Sequence, residues 1–142
     1  MPIRKASAQW ENTLKAGRGM FLGESGLSGN YSFASRFESG GGSNPEELLA
    51  AAHAACYSMA LAVALERAGT PSQRVDTEAA CTIEKVGDKF QITTMRLKVR
   101  ASVPGIDETT FAKTAEATKD GCPVSGALKG NLKLELDAQL VR

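Results

Sequence analysis

Cysteine, histidine and tryptophan are scarce in this sequence, which has three Cys, one His and one Trp in 142 residues. An odd number of cysteines argues against a disulfide framework, and the N-terminal segment MPIRKASAQW lacks the apolar stretch of a secretory signal. We therefore expect a cytoplasmic protein whose cysteines stay reduced. In that setting a cysteine packs, binds a metal or reacts.

An excess of charge of either sign is also lacking, since 17 Lys and Arg face 16 Asp and Glu for a net charge of +1. This balance indicates neither a nucleic-acid partner nor an anionic membrane. The longest apolar run, residues 48–65, is about the length of a membrane span, but it is mostly alanine and is interrupted by His53, Tyr57 and Ser58. We interpret it as a core helix. Because there is no internal repeat and no linker, one domain over residues 1–142 is predicted.

The pattern of apolar residues predicts an α+β fold. Residues 2–38 are predicted to form strands and turns, and the alternation in YSFASRFE places its three aromatic residues on one strand face and Arg36 on the other. After a glycine-rich hinge, further strands are expected at residues 74–86, 90–102 and 131–141, and helices at residues 107–120 and just after Cys122. Neighbouring strands should be mostly antiparallel.

The segment NPEE predicts the start of a helix that runs to about Ala68. Asn44 suits the N-cap, and Pro45 suits the first helical position. Glu47 falls at the capping-box position, which leaves Glu46 without a local role. The helix is apolar nearly all round, a pattern typical of full burial. Its length and its many alanines suggest that a second chain covers part of it.

Two of the cysteines are candidates for chemistry. Cys56 lies in HAACYSM on the apolar helix, where a thiol is most often only a small hydrophobic side chain. Cys122 lies in GCPVS at the predicted start of a short helix, where backbone N–H groups and the helix dipole stabilise a thiolate. The two could form a working pair, although 66 positions separate them and spacing alone does not show it. Cys81 is expected to pack in the core with Ala79 and Ile83.

His53 precedes Cys56 by three residues, so both share a face of the helix. With Cys122 they could ligate zinc, although no second paired motif supports such a site. Alternatively, the cysteines could be inert in a dimeric binding module. His53 could also be the base of a cysteine hydrolase, for which the i, i+3 geometry is poor. We expect His53 to have a structural role or to lie behind the reacting groups.

Several motifs together resemble one known family. The segments RFESGGGSNPEELLAAAHAACYSMAL, VPGID and GCPVSGALK are similar to the osmotically inducible protein C (OsmC) family, which also includes the organic hydroperoxide resistance proteins. The resemblance extends along nearly the whole chain, from AQWENTLKAGRG to the last strand, and the forms HAAC and GCPVS look more like the OsmC branch. No functional position of the family is missing.

The resemblance implies a thiol-dependent hydroperoxide reductase, a peroxidase of oxidative and osmotic stress that reduces organic hydroperoxides and, less well, hydrogen peroxide. Cys56 would attack the peroxide and become a sulfenic acid, and Cys122 would resolve it as a disulfide. Arg36 and Glu46 would be the charged pair that orients and activates the site. No metal or other cofactor is implied, and a dithiol or a lipoylated protein would be the reductant.

The family fold implies strongly curved, largely antiparallel sheets wrapped around two central helices in an intertwined homodimer, with active sites at the subunit interface. Helix geometry favours the dimer independently. Glu46 and Cys56 are ten positions apart on one helix, which is about 15 Å along its axis and roughly 80° around it. One short carboxylate does not span that distance. If both residues serve one site, Glu46 and with it Arg36 should come from the other chain.

Overall fold

The chain forms two structural units, residues 1–48 and residues 49–142, in a computed structural model that describes all of residues 1–142. The first unit contains three short strands, β1 (Ala6–Glu11), β2 (Arg18–Gly23) and β3 (Ser28–Tyr31). They form an antiparallel sheet in the order β1-β2-β3. A short helix, α1 (Phe33–Phe37), follows the sheet. A long helix, α2 (Pro45–Arg67), begins at the end of this unit and continues into the second.

Gly19 on β2 allows two aromatic rings to pack across the first sheet. It pairs with Trp10 on β1 and with Tyr31 on β3, and the centroids of these two rings lie 5.4 Å apart. A Cβ atom at Gly19 would lie 2.6 Å from atoms of both rings, which is closer than van der Waals contact permits. The missing side chain at this position is therefore what makes room for the aromatic pair.

The prediction of a strand through residues 33–37 is wrong, because these residues form α1. Ser32 and Ser35 close a capping box at its start, where each side chain accepts a hydrogen bond from the backbone N–H of the other. The spacing of Phe33 and Phe37 explains the error, since residues four apart share a face on a strand and also on a helix. On α1 their ring centroids are 5.1 Å apart.

The second unit contains a three-stranded sheet of β4 (Arg74–Val86), β5 (Lys89–Ser102) and β6 (Lys133–Leu140). β4 and β5 form an antiparallel hairpin, whereas β5 and β6 are parallel. The parallel pairing follows from the chain path, because two helices, α3 (Glu108–Gly121) and α4 (Pro123–Leu128), connect β5 to β6. The strands and helices predicted for this half are confirmed. The α+β class with mostly antiparallel strand pairs is confirmed as well.

The core of the second unit lies between one face of β5 and one stripe of α2. Alternate residues of β5 are buried, as a half-buried strand requires. On α2 the buried residues recur about every four positions, which is the spacing of one helix face. The fully buried side chains of these elements are Met95, Leu97, Val99 and Ala101 on β5, and His53, Tyr57, Leu61 and Leu65 on α2.

The expectation that α2 is fully buried is wrong for one chain, because only one stripe of the helix packs against the core. Met59 is 72% exposed and Val63 is 40% exposed on other faces of the helix. By length and composition alone Pro45–Arg67 could cross a membrane, and 22% of its most apolar stretch is buried. The core helix of a soluble protein can have the same length and composition. The intertwined homodimer and the single domain over residues 1–142 stay predictions.

Candidate active site: a thiol pair beside an apolar groove

Cys122 lies at the junction of α3 and α4. Its backbone N–H donates to the Thr118 carbonyl and ends α3, and the same residue is the N-cap of α4. Pro123 occupies the first position of α4, where a helix needs no N–H. The next two backbone N–H groups, those of Val124 and Ser125, lie in the first turn of α4, and both lower the pKa of the Cys122 thiol. The sequence GCPVS therefore places the Cys122 sulfur where the start of α4 stabilises its anion.

Cys56 on α2 places a second sulfur beside that of Cys122, and the two Sγ atoms are 3.1 Å apart. Both cysteines are thiols in this structure, and only a small movement would bring the sulfurs to the disulfide bond length of about 2.05 Å. Cys81 packs against the core from β4, as predicted. The structure thus brings together the two cysteines that the sequence analysis paired, although the sequence separates them widely.

Only one of the two thiols opens onto a groove. Cys56 is half-buried and lines a groove of 690 Å³ between α2 and α3, whereas Cys122 is fully buried and does not line it. The lining is mostly apolar, and Arg67 and Lys113 are its only charged residues. A small apolar ligand in the groove would therefore meet Cys56 first.

The two thiols differ in acidity. Burial would raise the pKa of Cys122, but hydrogen bonds from the Ser125 N–H, the Cys56 thiol, the Ser125 hydroxyl and the Val124 N–H together lower it. The pKa of Cys56 is raised by burial and by the neighbouring Cys122, against one hydrogen bond from the Val124 N–H. The sulfur–sulfur distance alone allows either thiol to donate. When one of the two thiols has ionised, we assign the remaining proton to Cys56, because the backbone N–H groups of α4 stabilise negative charge on Cys122.

Arg36 and Glu46 form a two-point ion pair in the first unit. Arg36 Nη2 donates to Glu46 Oε1 at 2.8 Å, and its Nε donates to the two carboxylate oxygens at 3.1 and 3.3 Å. The Glu46 side chain is 6% exposed, and that of Arg36 is 35% exposed. The Arg36 guanidinium also lies over the Phe37 ring, 5.2 Å from its centroid. The structure therefore joins the two residues of the expected charged pair, and Glu46 gains the partner that the helix cap does not supply.

The start of α2 fixes this ion pair in place. Asn44 caps the helix as predicted, since its Oδ1 accepts from the Glu47 N–H at 2.8 Å. Glu47 does not close a capping box, because its carboxylate accepts from the Ser43 hydroxyl at 3.0 Å instead. The Asn44 side-chain amide donates to the Ser35 carbonyl at 2.9 Å, which ties α1 to the first turn of α2. That tie places Arg36 within reach of Glu46.

His53 is fully buried and contacts a residue that the sequence analysis does not identify. Its Nε2 lies 2.7 Å from Ser125 Oγ, and its Nδ1 has no hydrogen-bond partner. Burial lowers the pKa of His53. No three His, Cys, Asp or Glu side chains are grouped to hold a metal ion, so the zinc interpretation finds no ligand set. The sequence feature that could have identified Ser125 is its position in GCPVS, three residues after a cysteine at a predicted helix start.

A groove-facing thiol in contact with a second, buried thiol is typical of a dithiol redox protein. The sequence matches the family described as OsmC-like protein over residues 38–137. It is 45% identical to peroxiredoxin OsmC of Escherichia coli (strain K12) over 134 residues, which is 93% of this chain and 94% of that protein. The chain therefore belongs to the OsmC-like protein family, which confirms the resemblance.

Two further comparisons extend this result. The chain is 30% identical to the organic hydroperoxide resistance protein of Xanthomonas axonopodis pv. citri (strain 306) over 99 residues, 68% of this chain and 67% of that protein. Its fold is similar to the crystal structure of the organic hydroperoxide resistance protein OhrB of Bacillus subtilis, with a TM-score of 0.75 and 21% identity over 95% of this chain and 98% of that one. The structural likeness confirms the OsmC-like fold.

Proposed function

We propose that this protein is a thiol-dependent hydroperoxide reductase that reduces organic hydroperoxides and, less well, hydrogen peroxide. The observation that carries the proposal is the 3.1 Å sulfur–sulfur contact in which only Cys56 opens onto an apolar groove. A peroxide-detoxifying role is supported by the relatives, of which one is a peroxiredoxin and another an organic hydroperoxide resistance protein. A part in the oxidative and osmotic stress response belongs to the same proposal.

The proposed reaction has three steps. The Cys56 thiolate attacks the hydroperoxide, so that an S–O bond forms, the O–O bond breaks and the leaving alkoxide takes a proton to become the alcohol. Cys122 then attacks the Cys56 sulfenic acid, so that the S–S bond forms and hydroxide leaves, taking a proton to become water. An external dithiol reduces this disulfide by exchange and is itself oxidised to a disulfide.

Arg36 and Glu46 are proposed to supply the charge that the Cys56 environment lacks. In a single chain the pKa of Cys56 is raised, so its thiol is a weak nucleophile near neutral pH. A guanidinium beside the sulfur would favour the thiolate and stabilise the charge that develops on the leaving oxygen. Glu46 would keep the guanidinium in one orientation. Because ten residues of α2 span about 15 Å, we propose that this pair comes from a second copy of the chain.

A homodimer with active sites at its interface is therefore part of the proposal, with one domain over residues 1–142 in each subunit. The exposed apolar residues of α2, Met59 and Val63 among them, are a surface that a second copy would cover. The reductant is proposed to be a dithiol or a lipoylated protein, and no cofactor, metal, nucleic acid or membrane takes part. The OsmC-type relatives support a soluble protein. The cytoplasm is its proposed location.

Dithiol-dependent peroxide consumption tests the proposed activity. With dihydrolipoamide as the reductant, we expect catalytic loss of cumene hydroperoxide, with a larger kcat/KM than for hydrogen peroxide. Cys56→Ser should abolish the reaction. Cys81→Ser is the matched control, because Cys81 packs against the core rather than in the thiol pair, and it should keep the activity. If the wild-type protein consumes neither peroxide, the proposal is wrong.

Mixed dimers test whether one site uses two chains. Arg36→Met and Cys56→Ser are each expected to be inactive alone. If a site combines Cys56 of one chain with Arg36 of the other, a mixed dimer of the two variants contains one intact site. Random reassortment of equal amounts should then restore about a quarter of the wild-type activity. No recovery, with mixed dimers demonstrated by mass spectrometry, would show that each chain must supply both residues.

A further inference from the structure

The only histidine of the chain lies in a buried polar cluster that the proposed reaction does not use. His53 is fully buried, Ser125 is 4% exposed, and 2.7 Å separates His53 Nε2 from Ser125 Oγ. Buried polar groups destabilise a protein unless they are hydrogen-bonded, and the apolar stripe of α2 offers no local reason for a histidine. The cluster adjoins Cys122, because Ser125 is the third residue of α4, of which Cys122 is the N-cap, and the hydroxyl and the backbone N–H of Ser125 both lower the pKa of that thiol.

The direction of the His53–Ser125 hydrogen bond depends on where the Ser125 proton goes. A serine hydroxyl has one proton, so if Ser125 donates it to the Cys122 sulfur, its oxygen accepts from His53. In that arrangement Nε2 of His53 carries the imidazole proton, and Nδ1 is an acceptor without a proton. This tautomer agrees with the missing partner of Nδ1, because an unpaired buried acceptor is less costly than an unpaired buried N–H. Burial lowers the pKa of His53, which keeps the ring neutral.

We propose that His53 and Ser125 are positioning residues of the resolving step, in which the His53 Nε2–H fixes the Ser125 hydroxyl so that it donates to the Cys122 sulfur. This inference rests on the proposed function. The donated bond would keep Cys122 as an oriented thiolate while it attacks the Cys56 sulfenic acid. It would also stabilise Cys122 as the leaving thiolate when a dithiol attacks Cys56, because a more acidic thiol leaves faster.

The other titratable groups around Cys122 come from α2 and α3. Cys56 is in contact with Cys122. Tyr57 on α2 interacts electrostatically with Cys122 and with Glu116 on α3. Burial, Glu116 and Cys122 all raise the pKa of Tyr57, so the phenol stays neutral while the thiols titrate. The pH dependence of Cys122 therefore reports on Cys56 and on the Ser125–His53 pair.

A thiol titration tests the proposal without peroxide. In a background with Cys56→Ser and Cys81→Ser, the ultraviolet absorbance of the thiolate gives the pH at which Cys122, the remaining thiol, ionises. Addition of Ser125→Ala should move that profile to higher pH. Ser58→Ala is the matched control, because the Ser58 hydroxyl donates to Thr77 at 2.8 Å and has no bond to either sulfur. An unchanged profile in Ser125→Ala would overturn the proposal even if the protein proved not to be a peroxidase.

Transient kinetics then separate the two steps of the reaction. In Ser125→Ala with both cysteines present, peroxide consumption by Cys56 should stay within twofold of wild type, and the decay of the sulfenic acid to the disulfide should slow. We expect about threefold slower resolution for each tenfold loss of thiolate, because a less acidic thiol gives a more nucleophilic anion. Equal slowing of both steps would indicate a merely structural role and would overturn the proposal.

Variants of His53 test the source of the proton. His53→Gln keeps an N–H donor near the position of Nε2 and should preserve the resolving rate, whereas His53→Leu has no donor and should behave as Ser125→Ala does. Nitrogen-15 NMR of the single imidazole provides a test that needs no variant, and we expect the proton on Nε2. A proton on Nδ1 in the reduced protein would contradict the proposed direction of donation and overturn the proposal.

Discussion

The ion pair of Arg36 and Glu46 should respond unequally to the loss of either partner. Arg36→Met leaves the Glu46 carboxylate, which is only 6% exposed, without its cation. An uncompensated buried charge costs several kcal/mol, and we expect a destabilisation of about 3 kcal/mol. Glu46→Gln leaves the Arg36 guanidinium, which is 35% exposed and can reach water. That change should cost about 1 kcal/mol, near the upper value for an exposed pair.

Urea unfolding measures this asymmetry directly. The protein concentration must be the same for all variants, because dimerisation would add to the apparent stability. The double variant, Arg36→Met with Glu46→Gln, should be more stable than Arg36→Met alone, since no carboxylate is then left unpaired. Arg96→Met provides a matched control, because Arg96 is 67% exposed in its ion pair with Glu135 and should matter much less.

Equal costs for the two single variants would refute the reasoning, and so would a larger cost for Glu46→Gln. Either result would mean that the Glu46 carboxylate is solvated or has another cationic partner in the folded protein. The predicted asymmetry bears on function as well. A carboxylate that depends on Arg36 for its charge partner holds the guanidinium in one orientation, which is what the proposed role of Arg36 requires.

Three further predictions concern the second unit. Cys122→Ser should accelerate alkylation of Cys56 near neutral pH, because burial and Cys122 both raise the pKa of Cys56 and the variant removes the second cause; a slower reaction measured by peptide mass spectrometry would contradict this. In wild type the Cys56 rate should still be rising at alkaline pH, since a raised pKa delays the thiolate. Tyr57→Phe should lower the free energy of unfolding by about 1 kcal/mol, because the buried phenol donates to the Ala115 carbonyl at 2.8 Å. No change in the urea midpoint would show that this bond contributes nothing.

Much of the secondary structure could be predicted because local signals agree with the fold. NPEE and GCPVS both place a proline at the first position of a helix, and α2 and α4 begin at those residues. The segment of Phe33 and Phe37 was wrongly assigned to a strand, because their spacing fits a strand and a helix equally. The capping box of Ser32 and Ser35 decides it, and serines occur as often in turns.

The site could be predicted in part. The family resemblance pairs Cys56 with Cys122, and the structure shows them in contact. The place of Cys122 at a helix start indicates its lower pKa from the sequence, whereas the part of the raised pKa of Cys56 that comes from Cys122 depends on a contact that only the fold supplies. The partner of His53 lies 72 positions away, so only the packing of α4 against α2 reveals it. The sequence suggests that a second chain covers part of α2, but it does not show which face is open, since an apolar helix has the same pattern whether its own chain or a second chain covers it.

Trapping the intermediates of one turnover tests the central claim most directly. Pre-reduced protein is mixed with one equivalent of cumene hydroperoxide, and intact mass and tryptic peptides are read for wild type, Cys56→Ser and Cys122→Ser. We predict that wild type loses two hydrogens and links its Cys56 and Cys122 peptides, that Cys122→Ser stops at a sulfenic acid on Cys56, and that Cys56→Ser leaves the peroxide unconsumed. Wild-type protein that keeps both thiols in the presence of persisting peroxide would contradict the account.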